Sequence, residues 1–230
     1  MTSLEFRDKL ARRSRRAKAP ITVAMLEPLE AYFRLLAQWN AKINLTALPL
    51  DPPTDETFDR LLVEPLAAAK FLQLSSAPSM NPQSSIPVWM DVGSGGGSPA
   101  IPLKIARPGL ELRMIESKER KSAFLREAIR ALGLASATVR TERFEAVASN
   151  AEDQVSADFV TVRAVKADSD LFETAGKILK EGGQLLLFRE AHSPSADPAG
   201  FKRLKTVPLI DAPPSFLCIY SRVFHVEQSR

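Results

Sequence analysis

The run Asp91-Val92-Gly93-Ser94-Gly95-Gly96-Gly97-Ser98-Pro99-Ala100-Ile101-Pro102 sets an acid two residues ahead of a glycine cluster. Glycines here let the backbone turn sharply and approach a ligand with no Cβ in the way. A helix opening just beyond them offers free N–H groups to an anionic moiety. Glu116 comes 23 residues after Gly93, where a carboxylate at a strand end accepts hydrogen bonds from both hydroxyls of a ribose. Phe144 and Glu145 sit just past one later strand candidate, and Arg163 ends the next. The pattern suits a ligand that contains a ribose. Each feature also has a plainer reading: a loop without a ligand, a dipole partner for the next helix at Glu116, an ordinary ion pair at Arg163.

That chemistry needs a strand before the glycines and a helix after them. Val88–Val92 is a short apolar run, and an apolar stretch reaches Ala106 beyond the loop. Leu110–Ile115, Ala137–Thr141, Asp158–Arg163, Gln184–Phe188 and Phe216–Ser221 read as further strands. Glu119–Leu132 is an amphipathic helix, with Phe124, Leu125, Ala128, Ile129 and Leu132 on one face. Ser117 is its expected N-cap and Gly133 its C-cap. Residues 168–180 supply another helix. Strands alternating with helices of this length predict a parallel sheet covered on both faces over residues 88–230, an α/β class. Upstream, residues 20–75 read as helical: Leu26, Leu29, Phe33 and Leu36 recur after an N-cap at Thr22, and Phe58, Leu61, Leu62, Leu66 and Ala69 follow from Asp55. Pro49, Pro52 and Pro53 interrupt between the two stretches, and Pro65 breaks the second. Residues 76–87 read as a linker rich in Ser and Pro. No internal repeat is present.

The chain of 230 residues has 31 Lys and Arg against 27 Asp and Glu, a net +4. Residues 1–18 hold seven of the bases and two of the acids, Glu5 and Asp8, so the remainder carries one net negative charge. Residues 1–19 are therefore expected to be a mobile basic arm, either capturing a polyanion or serving only as a solvated terminus. The two acids argue against a mitochondrial presequence. With 45% hydrophobic and 25% charged residues, a sizeable core is expected. One cysteine (Cys218) and two separated histidines (His192, His225) give neither a disulfide framework nor a metal site. No apolar run is long enough for a membrane span and no secretory segment is evident, so a soluble cytoplasmic monomer is expected.

Two cofactor classes use such a glycine turn. Gly95, Gly97 and Ala100 match the dinucleotide spacing G-x-G-x-x-A, but that motif closes its strand at the first glycine, and here the strand ends at Asp91 and Gly93. An acid followed by Gly93, Gly95 and Gly97 instead resembles motif I of Rossmann-like S-adenosylmethionine (SAM) methyltransferases. There the loop faces the methionine part of the cofactor, and residues placed like Phe144 and Glu145 contact the adenine. No Asp/Asn-Pro-Pro-aromatic run follows the fourth strand, which argues against transfer to an exocyclic base amine. Cys218 lies in a strand rather than a loop, which argues against a cysteine nucleophile. Transfer to a lone-pair nitrogen needs alignment rather than a strong base; no catalytic residue is assigned.

Over residues 26–222 the sequence resembles the bacterial ribosomal RNA small subunit methyltransferase G family, also called glucose-inhibited division protein B. Trp39, Asn40, Asn44, Leu45 and Thr46 match its WN-x-x-x-NLT segment, and Asp91 to Leu103 its DVG-x-G-x-G-x-P-x-IPL loop. Lys121, Phe124 and Leu125 resemble its K-R-x-x-FL helix, and Arg163-Ala164 its RA pair. The resemblance implies a seven-stranded, mostly parallel Rossmann-like sheet with an N-terminal helical extension. It also implies SAM as cofactor and N7 methylation of a guanine in the 530 loop of 16S rRNA, with the 30S subunit as partner and no metal. By motif position, Gly93, Ser98, Phe144, Glu145 and Arg163 would contact SAM, alongside Gly95, Gly97 and Glu116. Four places depart from the pattern: Gly96 replaces a proline, Asp59–Glu64 replaces an R-H-x-x-D-S segment, Arg189-Glu190 replaces Lys-Gly, and a basic residue is missing near Ser215. Lys118, Arg120, Lys121, Arg126 and Arg130 would help hold phosphates, unless Glu119 and Glu127 merely pair with them. A methyltransferase acting on another substrate, and a non-catalytic RNA-binding module of the same fold, remain alternatives.

Overall fold

The computed structural model describes residues 1–72, 86–164, 168–190 and 197–223. Seven strands form one sheet: β1 (Val88–Val92), β2 (Glu111–Ile115), β3 (Ala137–Arg140), β4 (Ala157–Arg163), β5 (Leu179–Arg189), β6 (Phe201–Asp211) and β7 (Pro214–Arg222). Their spatial order is β3-β2-β1-β4-β5-β7-β6. The first five pair in parallel, whereas β7 runs antiparallel to both β5 and β6. Order reverses between β1 and β4, and in open sheets of this kind a crevice opens outside the carboxyl ends of the strands at that point.

Both faces are buried, and the two-residue period of a strand explains how. Trp89, Met114, Phe159 and Leu186 point into one apolar cluster, while their neighbours Met90, Ile115, Val160 and Leu187 point into the other. Helices α5 (Ala100–Ala106) and α6 (Glu119–Leu132) cover the first face, and α7 (Phe144–Ser149) and α8 (Ser169–Ile178) the second. The α6 bounds agree with the sequence reading, including Gly133 at the C-cap, but the N-cap is Lys118 rather than Ser117. A carboxylate oxygen of Glu116 accepts the Lys118 N–H at 2.8 Å, which ties down the chain there without a serine cap.

The N-terminal region joins the first cluster rather than standing apart: Leu29, Phe33 and Leu36 of α2 (Val23–Asn40) share it with Trp89 and Phe124. Thr22 occupies the α2 N-cap position but makes no side-chain cap bond. The second helical stretch is α3 (Asp55–Phe58), a π turn over Asp59–Val63, then α4 (Glu64–Ala68), with Pro65 in its first turn.

Three expectations need correction or restriction. Residues 1–19 are not a mobile arm, because Ser3–Arg16 form helix α1. Thr2 and Glu5 cap it reciprocally, and Phe6 and Leu10 are fully buried. The Phe6 ring lies 5.4 Å from that of Phe33 and 5.1 Å from that of Phe58. Burying two such side chains contributes about 3–6 kcal/mol, enough to hold a helix end that charge alone would leave free. Strand β6, over residues for which the sequence predicts no element, is the outer member of a long hairpin with β7. Residues 76–85 of the expected linker, Val165, His192, Pro194 and His225 lie outside the described residues.

Candidate functional site

The glycine loop leaves β1 at the switch point. The Gly93 and Ser94 amides bond the Ile115 carbonyl at 2.9 and 3.1 Å, and the Gly97 amide bonds the Ser94 carbonyl at 2.7 Å. Glu116 fixes the loop from β2, its Oε2 accepting the Gly95 N–H at 2.9 Å. Both Glu116 oxygens thus hold backbone amides, and each keeps a further lone pair for a ligand hydroxyl. The opposite wall comes from the N-terminal helices. The Tyr32 hydroxyl of α2, fully buried, donates to the Gly96 carbonyl at 2.6 Å. Burial pushes that phenol's pKa upward, so it remains a neutral donor. Asn40 Oδ1 accepts the Leu45 and Thr46 amides at 2.8 and 3.0 Å, which sets the 45–48 loop against the glycines. Trp39 meets Phe124 edge-on at 5.8 Å, so the WN-x-x-x-NLT segment works as a clasp between α2, α6 and the loop.

The π turn supplies the third wall. Ser98 Oγ donates to the Leu61 carbonyl at 2.9 Å, and Arg163 Nη1 reaches both Ser98 Oγ, at 3.1 Å, and the Arg60 carbonyl. Glu64, almost fully buried, bridges two guanidiniums: Oε2 takes Arg163 Nη2 at 2.7 Å and Oε1 takes Arg60 Nη1 at 2.9 Å. Burial lowers the Arg163 pKa and Glu64 opposes that fall, while the guanidinium lies over the Phe188 ring at 4.6 Å. These walls enclose a cavity of about 710 Å³, within the range of sites that hold cofactors.

Of the eight residues named from sequence, Gly93, Gly95, Ser98, Glu116 and Arg163 line this cavity. Gly97 does not: a Cβ there would lie 2.5 Å from Ile101 Cδ1, so it is a packing position. Phe144 starts α7 buried in the second cluster, and Glu145 is exposed beside it; neither lines the cavity. Lys121 does line it, whereas Arg126 and Arg130 pair with Glu119 and Glu127. Sequence reasoning did not pick out Tyr32 or Glu64 as site residues. The glycine run gave no sign of which distant side chains close over it.

Beneath the loop lies a buried chain: Trp89 Nε1 donates to Thr161 Oγ1 at 2.8 Å, and Thr161 donates to Asp91 Oδ1 at 2.5 Å. Among the described residues, Asp91 Oδ2 is buried without a hydrogen-bond partner. Burial pushes the Asp91 pKa up to about 6, against the opposing pull of Thr161, Ser94 and Arg163. The unfolded chain loses this proton near pH 4. Between pH 4 and 6 the folded protein therefore binds a proton that the unfolded chain has released, and Asp91 makes stability fall as pH rises through that window. Asp91→Asn is expected to reduce that fall by roughly 2–3 kcal/mol relative to the parent chain. Urea denaturation at pH 4.5 and 7 measures it, and the same pH difference in both proteins would refute the assignment.

Residues 25–198 match the family model described as rRNA small subunit methyltransferase G. A Stenotrophomonas maltophilia (strain K279a) protein named ribosomal RNA small subunit methyltransferase G is 33% identical over 198 residues, covering 84% of each chain. A protein of the same name from Xanthomonas axonopodis pv. citri (strain 306) is 34% identical over 171 residues, 74% of this chain and 71% of that one. Among solved structures, a SAM-dependent methyltransferase from Aquifex aeolicus aligns at 15% identity with a TM-score of 0.48, covering 60% of this chain and 85% of that one.

Proposed function

Because the chain belongs to the family of rRNA small subunit methyltransferase G, we propose that it methylates N7 of a guanine in the 530 loop of 16S rRNA. SAM-dependent methylation of ribosomal RNA comes with the family. We take the 30S subunit as acceptor and a cytoplasmic monomer as the acting unit.

The observation that carries the reading is the convergence of the glycine loop, Glu116 and Arg163 on one cavity. The residues fit SAM. Gly95 has backbone φ +51°, and a Cβ there would meet only the Gly93 carbonyl, at 3.6 Å, which leaves room for close approach. Glu116 has lone pairs for ribose hydroxyls, and the loop lies at the end of β1 where the methionine part belongs. When bound, SAM supplies an electrophilic methyl group on a sulfonium.

The chain's own residues hold and align. Tyr32 and Glu116 fix the loop from two sides. Glu64 holds the Arg163 guanidinium over the Phe188 ring and within reach of Ser98. Residues 45–48 line the cavity from the N-terminal side. N7 of guanine attacks through a lone pair and releases no proton, so the side chains need to provide orientation rather than a base.

The experiment is methyl transfer from labelled SAM to 30S subunits taken from cells that lack the family enzyme, with base-resolved mapping. A single N7-methylguanine in the 530 loop is expected. No transfer, with S-adenosylhomocysteine still bound by calorimetry, would send the search to another acceptor.

A further inference from the structure

Among the described residues, the cavity lining carries four basic and four acidic side chains, so their formal charges cancel. Beyond residue 18 the chain carries one net negative charge. The positive charge is concentrated in α1, and the structure divides it into two sets. Arg7, Lys9 and Arg13 are used internally: Arg7 pairs with Glu30 at 3.2 Å, Lys9 with Asp55 at 3.0 Å, and Arg13 with Asp55 at 3.0 Å and with Asp59. Arg12, Arg15, Arg16 and Lys18 are exposed and have no ion pair among the described residues.

Arg12, Arg15 and Arg16 stand at i, i+3 and i+4 on one helix face, a like-charge arrangement that Asp55 offsets in part at Arg12. The helix dipole accounts for a cation or two in the last turn, but not for a cluster that continues past the cap to Lys18.

Position gives the cluster a use. The C-terminal end of α1 packs beside the β6–β7 turn, where Arg16, Lys18 and Pro208–Ala212 border a cleft of about 200 Å³. Arg189 of β5 pairs with Phe216 of β7, and Asp211 with Pro214, so that turn projects from the carboxyl edge of the sheet, as the glycine loop does. Asp59, which holds Arg13, directly precedes Arg60 on the cavity wall. The cations are therefore held by a docked helix at the edge where the acceptor base must enter. Asp211 is exposed on the facing turn.

We propose that Arg12, Arg15, Arg16 and Lys18 form a fixed phosphate-binding ridge that holds the backbone of the acceptor RNA beside the cofactor cavity. This rests on the rRNA-acceptor reading above. Such contacts position the RNA and carry no sequence information.

The test uses the full chain and the variant Arg12→Gln/Arg15→Gln/Arg16→Gln/Lys18→Gln, titrated with a 16S rRNA fragment containing the 530 loop over a range of salt. Each lost phosphate contact removes roughly 0.7–0.9 from the slope of log affinity against log salt, so the variant's slope is expected to be shallower by about 3. Melting temperature should equal the parent's or rise slightly as like-charge repulsion is removed, and S-adenosylhomocysteine affinity should match the parent's. Arginine-to-lysine replacement at the three arginines should keep most of the slope. Equal slopes for parent and glutamine variant would overturn the ridge and leave the methylation reading standing. A parent chain that does not bind the fragment would overturn the RNA-acceptor reading, and the ridge with it.

Discussion

Glu64→Ala is expected to lower the free energy of unfolding by about 3–5 kcal/mol, because it leaves two guanidiniums at the cavity wall without their shared carboxylate. Glu64 shows 2% of its side chain to solvent, Arg163 18% and Arg60 14%. Water cannot fully replace the lost partner at that depth, and Arg60 is left with Glu56 and Glu190, each at 3.9 Å. The ion pair is not thereby a net source of stability, since desolvating both partners consumes most of the attraction. Glu64→Leu/Arg163→Met, which removes the Glu64–Arg163 pair and leaves only Arg60 without its carboxylate, should accordingly regain part of the stability lost in Glu64→Ala. It should not regain cofactor affinity, because Ser98 and the Arg60 carbonyl lose the donor that holds them. Urea midpoints of the single and double variants give the first comparison and S-adenosylhomocysteine calorimetry the second. A double variant no more stable than Glu64→Ala would show that the loss arises from packing rather than from a stranded charge.

The Glu64–Arg163 bridge joins residues 99 apart in the chain, a contact that no local pattern specifies. Motifs contiguous in the chain were legible: the loop from Asp91, its strand, and the α6 stripe through Phe124, Leu125 and Ala128 follow from local periodicity and glycine chemistry. The cavity's far walls were not legible, because Arg60, Glu64 and Tyr32 reach the loop only through tertiary packing, and Tyr32 lies 64 residues from the carbonyl it holds. Helix α1 had left a signal. Thr2 and Glu5 have capping-box spacing, and Phe6, Leu10 and Ser14 recur every four residues along one face. Its seven-base charge, counted over residues 1–18, suggested a tail and obscured that stripe. Strand β6 was hidden for another reason: it is the sheet's edge strand, and its centre carries Lys202, Arg203, Lys205 and Thr206 where an interior strand would be apolar.

The glycines of the loop can be separated by what a side chain would strike. Gly97→Val is expected to cost about 2–6 kcal/mol of stability, combining overpacking with a β-branched residue at positive φ. Gly97 has φ +82°, and its Cβ would lie 2.5 Å from Ile101 Cδ1 and 3.4 Å from Leu125 Cδ2, both in the first core cluster. Against a total of about 5–15 kcal/mol, the upper part of that range leaves little folded protein at growth temperature. Gly95→Ala should behave differently. Its new methyl meets no core atom, so stability should fall by only about 1–2 kcal/mol for the left-handed backbone. Because Gly95 lines the cavity, the methyl occupies space that a bound cofactor needs, and S-adenosylhomocysteine affinity should fall about tenfold or more, with the circular dichroism spectrum unchanged. Melting curves and calorimetry on the two variants read the contrast directly. If Gly97→Val folded like the parent and lost only cofactor affinity, Gly97 would belong to the binding surface and the packing role assigned to it would be wrong. If Gly95→Ala bound the cofactor like the parent, the cavity beside Gly95 would not be where the ligand makes its close approach.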